Sequence, residues 1–273
     1  MRRALVITIG VVLAVTGTGC GSQDAAGAPT ALIATVLDRT EAAKTAKIVQ
    51  TLEVPGQGDD ATGARFEGVV DLTDMKSSGS LAFGDLHYDM VQIGTTIYVD
   101  SRGFAHGKAF AGRPWVKKDL ATIGAADGSG SLASGGPGSP DMLRGATSEP
   151  VKVGKEVIDG ERMTHYRIDL DLSAPPAGAP DASSALIDAM SKVLGGQTLP
   201  VDLWVDGKKR ERKAQVHIDL SRMPRGVGTA TGTAVITSTF SDFGVAANIQ
   251  APPADQTMGM ADFQSLVASS RAA

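Results

Sequence analysis

LPVDLWVDGKKRERKAQVHIDL, residues 199–220, alternates in two runs on either side of a turn. Val201, Leu203 and Val205 interleave with Asp202, Trp204 and Asp206. After Gly207-Lys208, Val216, Ile218 and Leu220 interleave with Gln215, His217 and Asp219. Successive side chains of a strand point to opposite sides, so a period of two gathers the aliphatic residues on one side and the polar residues on the other. Two such runs joined by a Gly-containing turn form an antiparallel hairpin with one side buried and one side wet.

The same pattern continues in both directions. Upstream, Ile168, Leu170 and Leu172 oppose Arg167, Asp169 and Asp171. Downstream, Thr229, Thr231, Thr233, Thr237 and Thr239 share one side while Ala230, Gly232, Ala234 and Ile236 share the other; small residues on the apolar side leave room for something to lie against it. Residues Val245 to Ile249 are expected to close the sheet, and Pro252-Pro253 to end it. Between Ile48 and Asp100, short period-two runs (Phe66, Val70 and Leu72; Leu81 and Phe83; Tyr88 and Met90) are separated by turn signals at Pro55-Gly56, Thr73-Asp74, Gly84-Asp85 and Gly94-Thr95, as in a meander.

Helical spacing occurs in fewer places. Leu32, Ile33, Val36 and Leu37 predict an amphipathic helix over Thr30–Lys47 with Thr30 as its cap. Ala185, Leu186, Ala189, Met190 and Val193 predict a second over Ala182–Leu194, stopped by Gly195-Gly196. Lys117 to Ile123 reads as one or two helical turns, Asp141 to Arg144 as a helical turn, Gly124 to Pro140 as a Gly/Ser loop able to gate a mouth, and Met258 to Val267 as a last helix. Helices gathered on one side of an antiparallel sheet make an α+β fold.

The N-terminus carries an address. Arg2 and Arg3 precede an apolar run, Ala4 to Val15, then Gly17, Thr18, Gly19 and Cys20. The run is too short to span a bilayer, which takes ~20 residues, and its order is that of an export signal. Cys20 is the only cysteine in 273 residues, so no internal disulfide is available to it. Its position after small residues fits the lipidation cysteine of a bacterial lipobox, although Gly17 stands where that motif usually has Leu. A diacylglyceryl group there would anchor stably, at ~0.8 kcal/mol per buried CH₂; the other reading is a secreted protein with an incidental Cys. The expected organisation is a signal at 1–19, a lipidated Cys20 and tether through 29, and one domain over 30–273, held by its lipid on the extracytoplasmic side of the cell membrane.

Chemistry is hard to find. A net charge of −4 gives no electrostatic case for nucleic acid. His87, His106, His165 and His217 lack helical metal spacing, and His165 and His217 fall on the polar parity, where a solvated surface His is expected. No nucleophile elbow, P-loop or dinucleotide fingerprint is present. Asp169 and Asp171 share an open strand side. Lys208, Lys209, Arg210, Arg212 and Lys213 form a basic hairpin tip, suited to anionic headgroups or to keeping an edge soluble. Neither a metal nor a cofactor is implied, and no catalytic residue is assigned.

Taken together, TTIYVDSRGF (95–104), RPWVKKDL (113–120), GKEVIDGERMTHYRIDLD (154–171), LPVDLWVDGKKRERK (199–213) and TSTFSDFGVAANIQAPPAD (237–255) resemble the LppX/LprG group of actinobacterial lipoproteins, from about Leu32 to Pro253. The resemblance implies a LolA-like fold, a large curved antiparallel half-barrel with helices over its concave face, and an apolar cavity for lipid or lipoglycan acyl chains carried through the envelope. It implies a membrane transporter as a partner, and no short motif marks the cavity. The candidate lining therefore comes from strand parity: Phe66, Val70, Leu72, Leu81, Phe83, Ile168, Leu170, Leu172, Val201, Leu203, Val205, Val216, Ile218, Leu220 and Ile236. The alternatives are a membrane-anchored sensor that docks a protein partner, and an enzyme, which would need His165 or His217 buried beside a carboxylate.

Overall fold

The computed structural model describes residues 30–55, 62–103, 112–120, 140–146, 148–173, 181–223 and 231–271. The quoted hairpin is β9 (Thr198–Val205) and β10 (Glu211–Asp219), with Val201 paired to Val216 and Leu203 to Ala214. Upstream lie β7 (Val151–Ile158) and β8 (Glu161–Asp171), turned by Asp159-Gly160 with both residues at positive φ, the conformation a two-residue hairpin turn requires. β11 (Thr233–Ser241) completes this meander.

A second meander precedes it: β1 (Thr45–Glu53), β2 (Thr62–Asp71), β3 (Lys76–Phe83), β4 (Leu86–Ile93), β5 (Thr96–Asp100) and β6 (Trp115–Asp119). The two are joined where β1 pairs antiparallel with β11. With β12 (Thr257–Gly259) the result is one twelve-stranded sheet in the order β12-β6-β5-β4-β3-β2-β1-β11-β10-β9-β8-β7. Every pairing is antiparallel except that of β12 with β6. The sheet does not close on itself; β12 and β7 are its edges.

The curl of this sheet follows from its core. Ile97 on β5 and Leu170 on β8 belong to one apolar cluster, although their strands stand eight places apart. A flat sheet would hold them roughly 38 Å from each other at ~4.8 Å per strand. The space between is bridged by α1 (Ala31–Glu41), whose Ile33, Val36 and Leu37 are buried, and by a 3-10 segment, Pro140–Gly145, carrying Met142 and Leu143. The sheet is thus an open half-barrel wrapped round α1. A helix this short is marginal alone; its three buried aliphatic side chains contribute roughly 1.5–3 kcal/mol each. α2 (Asp181–Leu194) adds Ile187, Met190 and Leu194 to the same core, and α3 (Met260–Arg271) follows β12 at the far edge.

Bending is easiest where side chains are missing. Phe240, Ile48, Gly68, Gly79 and Met90 form one cross-strand row. At its centre the backbones of β2 and β3 come so close that a Cβ on Gly79 would lie 2.1 Å from the Glu67 carbonyl oxygen, and one on Gly68 2.2 Å from that of Ser78. Phe240, Ile48 and Met90 fill the groove beside this pair in a second cluster with Ala46, Phe66 and Leu72.

Several expectations are corrected. The first helix ends at Glu41 rather than Lys47, because Lys44 turns at positive φ and Ala46 is required in the core as part of β1. Lys117–Asp119 is strand, since Trp115–Asp119 pairs with β5 on one side and β12 on the other. Val245–Ile249 forms no strand: both neighbours of β11 are already taken, and Gly244 N–H instead donates to the Thr45 carbonyl at 2.7 Å. The last helix is preceded by β12. Residues 1–29, with the signal, Cys20 and the tether, lie outside the described residues, as do 121–139 of the loop and 224–230.

Gly79→Ala is expected to destabilise the fold by ~1–3 kcal/mol through collision with β2, whereas Gly154→Ala, with nothing within 4 Å of the added methyl, leaves it unchanged. Urea denaturation of the two variants checks this; equal midpoints would remove the close approach from the explanation of the bend.

Candidate functional site

The concave face is built by register. Tyr166, Leu203, Ala214, Ser238, Gln50 and Phe66 stand side by side on β8, β9, β10, β11, β1 and β2. The middle of this row is small or polar: Ala214 and Ser238 are fully buried, and Gln50 Nε2 donates to Ser238 Oγ at 2.9 Å. The row above it, Ile168, Val201, Val216, Ile236 and Leu52, is aliphatic throughout. The room that the small residues leave is the room that α1 approaches.

Of the parity-derived residues, Ile168, Leu170, Leu172, Val201, Leu203, Val205, Val216, Ile218 and Ile236 are all buried in the main core, and Leu220 packs partly buried against it. Phe66 and Leu72 are buried in the second cluster, with Val70 and Leu81 beside them. Phe83 departs from the expectation. It sits 52% exposed at the β3–β4 tip opposite Leu86, beyond the reach of either cluster. In α2, Ala189 and Met190 of the expected stripe are buried, with Ile187 and Leu194 beside them among the described side chains.

Inside the concave layer is a group that parity misplaces. Ala214, Val216 and Ile218 face inward, so counting back by twos would bury Arg212. A register shift between Glu211 and Lys213 turns Glu211 inward instead. Glu211 is fully buried, its backbone N–H donates to Thr40 Oγ1 at 2.9 Å, and neither carboxyl oxygen has a partner among the described residues. Burial pushes its carboxyl up to about 8. Nothing in the local sequence signals the bulge.

The convex face is less bland than its alternation suggests. His165, expected at a wetted surface, is 7% exposed. Its Nδ1 lies 2.9 Å from Glu156 Oε1 and its Nε2 2.8 Å from Asp202 Oδ1. Asp202 is also reached by His217 Nε2 at 3.1 Å and by Arg167, and Glu156 accepts from Trp204 Nε1 at 2.9 Å. The Trp204 ring stacks on His165 at 4.4 Å and carries Lys213 Nζ 4.5 Å from its centroid. Burial pushes the Asp202 carboxyl upward, but hydrogen bonds from His165 and His217 and the Arg167 charge hold it below the usual range. Glu156 is likewise lowered, first by the Trp204 N–H.

This network laces β7, β8, β9 and β10 together across the outside of the sheet. It meets the condition set for an enzyme, a buried His beside a carboxylate. Both His165 nitrogens lie within hydrogen-bond distance of carboxylates, which fixes the ring between β7 and β9. Among the described residues no group of three or more His, Cys, Asp or Glu is placed to hold a metal ion, and no helix is long and apolar enough to cross a membrane.

Lys208, Lys209 and Arg210 sit on the turn between two interior strands, not on a sheet edge. Arg212 is drawn off to Glu161 and Lys213 to Trp204. Arg39, unremarked in the sequence, joins the turn across a groove.

No family model matches the chain. The Streptomyces coelicolor protein SCO4650, whose name carries a provisional lipoprotein assignment, is 29% identical over 179 residues, 63% of this chain; the chain spans about half the length of that relative, 50%. The structure is similar to that of the Mycobacterium tuberculosis lipoprotein LppX, with a TM-score of 0.46 and 17% identity over 81% of this chain and 98% of that one. It is similar also to LprF from Mycobacterium bovis, with a TM-score of 0.47 and 13% identity over 83% and 99%.

The raised Glu211 carboxyl has a thermodynamic consequence. Between its unfolded value near 4.5 and about 8, the folded protein holds a proton that the unfolded chain releases. This group's contribution is therefore largest below pH 4.5 and is lost as pH rises to 8, by an amount on the order of a few kcal/mol. Glu211→Gln is expected to flatten the stability profile over that window and to raise the melting temperature at pH 8. Parallel profiles for the two proteins in thermal melts would show that Glu211 is not held protonated.

Proposed function

We propose that the protein is an envelope lipoprotein, anchored through a lipid on Cys20, that binds acyl chains against the concave face of its half-barrel and carries or presents them, without catalysis. The observation that carries this reading is the extent of the apolar concave surface. It runs from β5 to β8 and is covered by α1, a helix that alone would barely hold its shape, with the 3-10 segment and α2 beside it. A fatty chain needs apolar area, ~25 cal/mol per Å², and no directional polar partner. The signal pattern ending at Cys20 supports that location, in keeping with the provisional lipoprotein assignment of SCO4650. A membrane transporter that loads or unloads the chain is the partner this role requires.

A second reading, a sensor that docks a protein, draws on β7. This strand is an edge, and Val151, Val153 and Val157 on it are all at least half exposed. Free edges that carry apolar side chains accept partner strands.

One experiment separates the two. Native mass spectrometry of protein extracted from its own membranes is expected to show a lipid adduct released on activation, on top of a covalent diacylglyceryl mass at Cys20. A lipid-free protein held to one stoichiometric membrane protein would favour docking, and a lipid-free monomer prepared with lipid in supply would end the carrier reading.

A further inference from the structure

The C-terminal end of α1 and the turn between β9 and β10 leave between them a groove of about 580 Å³, walled by Ala42 and Ala43 and ringed by Arg39, Lys208, Lys209 and Arg210. Four cations thus surround one space, and the single carboxylate of the turn does not neutralise it. Asp206 has a side chain only 1% exposed. It accepts the backbone N–H groups of Lys208 and Arg210 at 2.8 and 2.9 Å and Nε of Arg210 at 2.9 Å, so it and Arg210 hold the turn together. Arg39, Lys208 and Lys209 make no ion pair among the described residues. The carbonyls that end the helix are also occupied: those of Asp38, Thr40 and Glu41 accept the N–H groups of Ala42, Ala43 and Lys44. The wall toward the groove is therefore alanine.

One residue further along the chain the environment changes. Glu211 follows Arg210, is fully buried, and has both carboxyl oxygens unpartnered among the described residues. Val205, its register partner, belongs to the main apolar core. The basic groove and the apolar core are thus neighbours along the chain, one residue apart at Arg210 and Glu211, the two environments that the two ends of an amphiphile with an anionic head require.

We propose that this groove binds a phosphate group, neutralised by Arg39, Lys208 and Lys209, with Arg210 fixing the turn. A phosphate-bearing lipid headgroup and a free phosphate ester share this chemistry; the lipid form rests on the carrier reading above. The groove then sets the polar end of the cargo, and the concave core takes its chains.

Isothermal titration of the mature chain with dihexanoyl phosphatidic acid, neutral dihexanoylglycerol and glycerol 3-phosphate tests this. The wild type is expected to bind the phosphatidic acid roughly tenfold or more tightly than the neutral lipid, a preference that shrinks with salt. The Arg39→Gln, Lys208→Gln, Lys209→Gln triple variant is expected to lose that preference while keeping its affinity for the neutral lipid. Strong binding of glycerol 3-phosphate identifies a small ester as the ligand; binding only of the tailed form identifies a headgroup. Equal affinity of the wild type for charged and neutral lipid overturns the proposal. So does a triple variant that keeps its preference and merely melts lower, which would assign the cations to the end of the helix dipole. Phosphate binding without any neutral-lipid binding overturns the carrier reading and leaves the anion site standing.

Discussion

Ile33, Val36 and Leu37 on α1 are wholly buried, and the sheet is curled because they are. Twelve strands laid flat would expose their apolar face along its whole width. Rolled into a half-barrel, the same face meets one helix, one 3-10 segment and α2 across a shared core. Neither partner is self-sufficient. An eleven-residue helix does not persist alone in water, and an open sheet of this size keeps its curvature only if something fills the concave side. The closeness of β2 and β3 at Gly68 and Gly79 is where the sheet yields to that demand.

The proposed function rests on the asymmetry of the two faces. The concave face is largely aliphatic, with small residues at its centre and a buried amide–hydroxyl hydrogen bond from Gln50 to Ser238. The convex face carries its charge in a network centred on Asp202 and His165 that ties the edge strand β7 into the sheet. An apolar inside filled by short elements is what the proposed container for chains calls for, in that a bound chain would take over from α1 the filling that keeps the sheet curved. Glu211 is an acid on the inside, kept protonated by burial one residue along the chain from the basic turn.

The strands that alternate cleanly were legible from the sequence, because one buried face enforces a period of two. That held for β8, β9, β10 and β11, and so did the α+β layering. What failed had a common cause, in that partners decided the outcome. Trp115–Asp119 has no alternation of its own and becomes strand because β5 and β12 offer edges. Val245–Ile249 alternates and stays out of the sheet because no edge is free beside β11. The Ala- and Lys-rich stretch after Glu41 favours helix by propensity, yet register puts Ala46 in the core. At the site, the aliphatic lining was visible by parity, whereas Glu211 was hidden by a bulge and His165 by the assumption that a polar parity is a wet one. Arg39 could join the basic turn only once α1 was laid across the sheet.

The central claim, that chains lie between α1 and the concave strands, is open to one direct measurement. A fatty acid bearing a diazirine in its tail is bound, photolysed, and its adducts mapped by peptide mass spectrometry. Labels on α1 and on the inward residues of β8–β11, such as Ile33, Val36, Ile168 and Ile236, are the predicted result. Labels confined to the outer face around Arg167, Trp204 and His217, or to the exposed valines of β7, would contradict it.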